Sequence, residues 1–192
     1  NCTGKIKVGD TEFSCQNNHI HSNQTLKQAL ANSCNCYFVN LANTLGSEKL
    51  LETCDKLGFN DYTALFDGWN IVNSYLPTNS DLLSKGELSL FGFGQGKLTA
   101  SPLQIASVLC TISNDGYYSQ SKLVLSNVNN QNVQTDIVYP SKEKVLKTNT
   151  CKKLIEYMRY VVTDGTARIV MYGDKKSAGK TATAQTGQYY NG

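Results

Sequence analysis

Between Thr25 and Leu45, apolar residues recur at positions 26, 29, 30, 34, 37, 38, 41, 42 and 45. The period is helical and predicts one helix, ended by Gly46. Ser47 is placed to cap a second helix that stops at Gly58. The stretch Asn60–Gly96 has little periodicity and holds Trp69; it reads as a long loop region with short turns. Ser101-Pro102-Leu103-Gln104 is a capping box with proline at the first helical position. That helix should reach about Asn114, with Asp115-Gly116 as a turn. Leu123–Leu125 and Asn132–Tyr139 look like a hairpin across Asn129-Asn130. Thr148 or Asn149 starts a helix that reaches Thr163, with Gly165 past its end. Ser177–Tyr190 is the final strand candidate. Ahead of all these, Cys2–Asn23 is polar and irregular, with a small hairpin around Val8-Gly9-Asp10. The order is helix-rich, with too few strands to close a sheet.

The chain has 192 residues, enough for one domain with a real core. Its net charge of +3 comes with no basic block, so a nucleic-acid partner has no support. No stretch approaches the ~20 apolar residues of a membrane span, and no signal peptide opens the chain. Seven cysteines are present, an odd number that cannot all pair. Cys54 and Cys110 read as buried apolar filler. Cys151 opens a helix and reads as a spectator.

The candidate chemistry lies in short motifs. Ser33-Cys34-Asn35 sits within the first helical period. Lys180-Thr181-Ala182-Thr183 lies near the C-terminus. Between them come Gly94-Gln95-Gly96, Leu98-Thr99-Ala100-Ser101-Pro102-Leu103-Gln104 and Gly165-Thr166-Ala167. In this order they resemble the S-x-N, G-Q-G and K-T-x landmarks of the D,D-transpeptidase domain of class B penicillin-binding proteins, of the elongation or sporulation type found in Firmicutes. The resemblance runs from about Cys2 to Gln185. It implies an α/β fold, that of serine β-lactamases and penicillin-binding transpeptidases, here an incomplete helix-rich portion ending in the K-T-x strand. On this reading the chain divides into an irregular loop (1–24), the S-x-N helical region (25–58), an active-site loop region (59–100), a helical region with a hairpin (101–176) and the K-T-x strand (177–192).

The resemblance also implies a reaction. A serine in S-x-x-K attacks a peptidoglycan stem peptide ending in D-Ala-D-Ala, and an amine of a neighbouring stem takes the acyl group. β-Lactams imitate the D-Ala-D-Ala end and remain attached. Catalysis needs no cofactor. The family works outside the cytoplasmic membrane, anchored by an N-terminal helix, with a membrane glycosyltransferase as partner. Three S-x-x-K strings occur here, at Ser119, Ser141 and Ser177, each in a turn, loop or strand context. The chemistry needs serine and lysine one helical turn apart. The nucleophile is therefore expected outside this chain, and residues 1–192 alone should be inactive. The alternatives are a β-lactamase or β-lactam-sensing relative, and a non-catalytic zinc-binding scaffold module of cell-wall assembly.

The matched positions take roles from the family. Ser33 relays a proton between nucleophile and leaving amine. Asn35 holds the substrate backbone and the S-x-x-K lysine. Lys180 places positive charge near Ser33. Thr181 and Thr183 bind the terminal carboxylate, and the Thr183 N–H is an oxyanion donor. Ala182 stands where the family usually has glycine and adds one methyl to this strand.

Cys2, Cys15, His21 and Cys34 form C-x12-C-x5-H-x12-C, a donor set suited to tetrahedral zinc. The spacing is not that of a zinc finger. Some elongation-type transpeptidases place zinc beside S-x-N, which strengthens the reading. His19 is an alternative imidazole and Cys36 an alternative thiolate. A Cys2–Cys15 disulfide and buried free thiols are the competing readings.

Overall fold

A left-handed backbone at Ser33 (φ 52°) divides the first helical period. The computed structural model describes residues 1–66, 69–72, 74–139, 141–170 and 176–183. Along the chain come β1 (Lys5–Val8), β2 (Thr11–Ser14), α1 (Leu26–Ala31), α2 (Asn35–Leu45), α3 (Ser47–Lys56), β3 (Tyr62–Phe66), β4 (Trp69–Val72) and β5 (Ser74–Tyr75). There follow α4 (Lys85–Gly92), β6 (Thr99–Ala100), α5 (Pro102–Ser113), β7 (Tyr117–Tyr118), β8 (Ser126–Val128), β9 (Gln134–Asp136), β10 (Glu143–Lys144) and α6 (Thr148–Thr163). The chain forms two compact units. One holds Asn1–Leu50, Thr78–Lys97 and Lys153–Gly192; the other holds Leu51–Pro77 and Leu98–Lys152.

In the first unit, β1 and β2 form the antiparallel hairpin expected around Val8-Gly9-Asp10, with Val8 opposite Thr11. Helix α1 opens on a full capping box. Thr25 Oγ1 accepts from Gln28 N, and the Gln28 side chain accepts from Thr25 N. The helix expected from Thr25 to Leu45 is two helices. After Ala31, Cys34 is extended and its N–H donates back to Ala29 O at 2.9 Å. Periodicity missed the break because apolar residues recur at helical spacing on both sides of it; of the residues α2 buries, Cys36, Val39 and Ala42, only Ala42 belongs to the expected period. Helix α2 packs on α4 at a point so close that a Cβ on Gly92 would lie 2.3 Å from Ala42 Cβ. A second core joins α1 to α6 through Ala31, Val161, Val162 and Ala167.

The second unit is built from antiparallel pairs: β3 with β4, β5 with β6, β7 with β10, and β8 with β9. The last pair is the hairpin expected across Asn129-Asn130, and Leu123–Leu125 lies outside it. Ser101 Oγ accepts from Gln104 N, as a cap should. Gln104 does not complete a capping box. It is fully buried, and its Nε2 donates to Leu57 O at 2.7 Å.

Several other expectations change. The stretch 59–100 contains α4 and the β3–β4 hairpin, whose short elements lack the length to show a period. Cys110 is exposed and Cys54 half-buried, so neither is buried filler; the residues α5 buries are Gln104, Ser107 and Thr111. Residues 177–183 pair with no strand among the described residues, and a strand forms only where a neighbour supplies hydrogen bonds. The rest of that strand candidate, 184–190, lies outside the described residues.

Candidate active site and metal-ligand cluster

Ser33 gains its position from backbone geometry. Its left-handed φ turns the chain between α1 and α2, and serine tolerates this less readily than glycine or asparagine. The turn presents its hydroxyl to Lys180, whose Nζ donates to Ser33 Oγ at 2.9 Å. Nζ also donates to Thr181 O at 2.8 Å. The lysine is exposed, and its Nζ is engaged by these two protein oxygens. Loss of water there lowers its pKa from the ordinary lysine value.

The segment carrying Lys180 is tied down on both sides of it. Gly179 N donates to Met158 O on α6 at 3.1 Å. The hydroxyls of Thr181 and Thr166 lie 2.7 Å apart. Thr166 in turn donates its N–H to Ala31 O at 3.0 Å, at the end of α1. Asn35 sits elsewhere: its Nδ2 donates to Ser14 O at the end of β2, at 2.9 Å. Thr183 is exposed at the last described position. Ser33, Lys180 and Thr181 thus meet, while Asn35 leans toward the cysteine loop. Thr166 was legible in the sequence as part of a landmark but carried no assigned role.

The four residues of the C-x12-C-x5-H-x12-C pattern converge. Their candidate ligand atoms all lie within 4.8 Å of one another. Cys2, Cys15 and Cys34 are buried, and His21 is half-buried. Paired backbone hydrogen bonds between Cys2 and Ser22 bring the first and third donors together. The loop 16–19 then folds back over Gly4, where a Cβ would lie 2.3 Å from Asn18 O. Cys2 Sγ lies 3.6 Å from Cys15 Sγ and 3.5 Å from His21 Nδ1, and Cys15 Sγ lies 3.9 Å from Cys34 Sγ. Tetrahedral zinc with Zn–S near ~2.3 Å separates its sulfurs by about 3.8 Å, so the donor set fits one ion. A disulfide needs about 2.05 Å, and all seven cysteines are free thiols. Cys36 Sγ, also buried, lies 3.6 Å from Cys15 Sγ as an extra donor.

Burial raises the Cys34 thiol to about 12 and pushes the Cys36 thiol up as well. Burial acts on Cys2 in the same sense. There it is outweighed by hydrogen bonds from the His21 and Gly4 backbones and the His21 ring, which bring it to about 6. Several adjacent thiolates would repel without a cation among them.

Comparison with known proteins identifies the family. The family model for the penicillin binding protein transpeptidase domain matches residues 1–192. Stage V sporulation protein D of Bacillus subtilis is 27% identical over 184 residues, covering 95% of this chain and 28% of that protein. Peptidoglycan D,D-transpeptidase MrdA of Acinetobacter baumannii is 26% identical over 186 residues, covering 89% of this chain and 27% of that protein. The D,D-transpeptidase domain of a peptidoglycan glycosyltransferase from Eggerthella lenta superposes with a TM-score of 0.80 at 26% identity. That match covers all of this chain and 49% of the solved one. The chain thus spans between a quarter and a half of these relatives, with the mixed helix and strand content of part of a penicillin-binding transpeptidase fold. It belongs to the penicillin-binding protein transpeptidase domain family, and a class B penicillin-binding protein is the member it fits.

Proposed function

We propose that residues 1–192 form the S-x-N and K-T-x part of a peptidoglycan D,D-transpeptidase, which cross-links stem peptides through an acyl-serine. The observation that carries this reading is the 2.9 Å hydrogen bond from Lys180 Nζ to Ser33 Oγ, across 147 positions of sequence. A serine hydroxyl against an ammonium can relay a proton between the nucleophile and the leaving amine. The Lys180 charge stabilises the anionic tetrahedral state. Thr181 and Thr183 receive the terminal carboxylate, with the Thr183 N–H as an oxyanion donor. Asn35, with one amide hydrogen on Ser14, keeps Oδ1 and a second N–H for the substrate backbone.

The nucleophile is supplied by residues outside 1–192. Ser119, Ser141 and Ser177 all lie off the helices of this structure. The whole protein would act on D-Ala-D-Ala stems, bind β-lactams and work beside a membrane glycosyltransferase. It would lie outside the cytoplasmic membrane, attached through an N-terminal helix beyond these residues. Among the described residues, no helix is long and apolar enough to cross a membrane.

Cys2, Cys15, His21 and Cys34 would hold one structural zinc. The ion would supply a cross-link and charge neutralisation for the thiolates, with no part in acyl transfer. Through Cys15 and Cys34 it would fix β2 against the start of α2, where Ser14 meets Asn35.

A fluorescent penicillin tests the function. Covalent labelling of the full-length protein, lost when an S-x-x-K serine outside 1–192 is changed, is the expected result. No labelling at all overturns it. An acyl adduct on Ser119, Ser141 or Ser177 overturns the placement of the nucleophile.

A further inference from the structure

We propose that Thr166 is a positioning residue for carboxylate recognition, acting through Thr181; this rests on the transpeptidase reading above. Three observations meet at Thr166. Its hydroxyl lies 2.7 Å from that of Thr181. Its N–H is fixed to Ala31 O at 3.0 Å, two residues before Ser33. The neighbouring Ala167 is buried among Ala31, Val161 and Val162. Thr166 is therefore held by a packed core on one side and touches a substrate-binding hydroxyl on the other.

The hydrogen-bond direction follows from chemistry. A hydroxyl that serves a carboxylate must donate its proton to it, because a carboxylate only accepts. Thr181 has one proton, so towards Thr166 it must accept. The Thr166 O–H then donates to Thr181, and the Thr181 O–H donates to the substrate. Such a chain fixes the rotor of Thr181 and strengthens its outward bond. The lysine contributes in the same sense, since Lys180 Nζ lies 3.5 Å from Thr181 Oγ1 and can only donate. Residues 177–183 have no ladder partner among the described residues, so side-chain ties such as this one matter more to their aim.

The test measures acylation rate constants of the full-length protein by benzylpenicillin and by its methyl ester, which lacks the carboxylate charge. Thr166→Val keeps the shape and removes the hydroxyl. Its preference for the free acid over the ester should fall about fivefold, the worth of one neutral hydrogen bond. Thr166→Ser should restore the preference, and Thr166→Ala should repeat the loss. An unchanged preference in Thr166→Val, including the case where both rates fall together, overturns the proposal and leaves a structural role. A wild-type protein acylated by neither probe overturns the transpeptidase reading itself, and this inference with it.

Discussion

Gly165→Ala should damage both stability and acylation, through a contact 15 residues from Lys180 in sequence. The glycine follows α6, with its N–H on Val161 O at 3.1 Å. A Cβ there would lie 2.4 Å from Ala31 O and 2.9 Å from both Ala31 C and Val161 Cα. All three are backbone atoms, which cannot swing aside as a side chain can. Bringing the oxygen contact out to 3.0 Å requires a retreat of at least about 0.6 Å in a packed core. Overpacking of this kind costs about 1–3 kcal/mol. In a domain of this size that is about 2–4 °C of Tm per kcal/mol. The retreat would carry the end of α1 with it, two residues from Ser33, and stretch the Thr166 N–H bond to Ala31. A 1 Å misplacement can cost about 100-fold in rate, so acylation should fall about tenfold or more. Thermal unfolding and stopped-flow acylation by a fluorescent penicillin measure the two effects. Gly86→Ala is the contrast: on α4 its Cβ would meet side-chain atoms, Thr11 Oγ1 at 3.2 Å and Ser84 Oγ at 3.7 Å, and no backbone. There the gain in helix propensity, up to about 1 kcal/mol, should leave stability equal or higher. A Gly165→Ala protein with wild-type Tm and wild-type acylation refutes the reasoning.

Gly92→Ala should cost about 1–3 kcal/mol, because its new methyl would meet Ala42 Cβ at 2.3 Å. Adding Ala42→Gly should return most of that loss in a double-mutant cycle; additive losses would mean the two sites do not touch. For the cysteine cluster, elemental analysis should find about one zinc per chain, and a chelator or Cys15→Ser should lower Tm while Cys54→Ser does little. Zinc uptake at neutral pH should release protons, since burial keeps the Cys34 thiol protonated up to about 12, and a pH indicator would register it. A metal-free protein whose Tm ignores chelator sinks the zinc reading. Acylation should show an alkaline limb below 10.5, because desolvation lowers the Lys180 pKa and the cation is lost as pH rises through it. Lys180→Arg should remove that limb if it retains measurable activity. Stability moves the other way: charging a partly desolvated lysine opposes folding, and this opposition is relieved as pH climbs toward 10.5. A Lys180→Arg profile with the same alkaline limb would assign it to another group.

The sequence by itself determined what local chemistry controls. Ser101 caps a helix because a hydroxyl before an apolar period meets free backbone N–H groups within three residues. The hairpins around Gly9 and across Asn129-Asn130 follow from turn chemistry and alternation. The ordered motifs carried the family, and C-x12-C-x5-H-x12-C carried the donor set. Tertiary structure alone decided the rest. The break at Ser33 left no mark on the period, because apolar residues continue at helical spacing on both sides of it, although α1 buries Ala29 and Ala31 and α2 buries Cys36, Val39 and Ala42. Gln104 was read as a capping partner and instead is buried in the second unit, where its amide N–H finds an acceptor in Leu57 O. Asn35 was read toward substrate and meets Ser14 O, a contact across 21 positions. Thr166 meets Thr181, and Lys180 meets Ser33, only because Ala31, Val161 and Ala167 pack α1 against α6. Spacing along a chain encodes periods of a few residues. Contacts across 147 positions depend on which buried faces close over one another, and that is a property of the folded core.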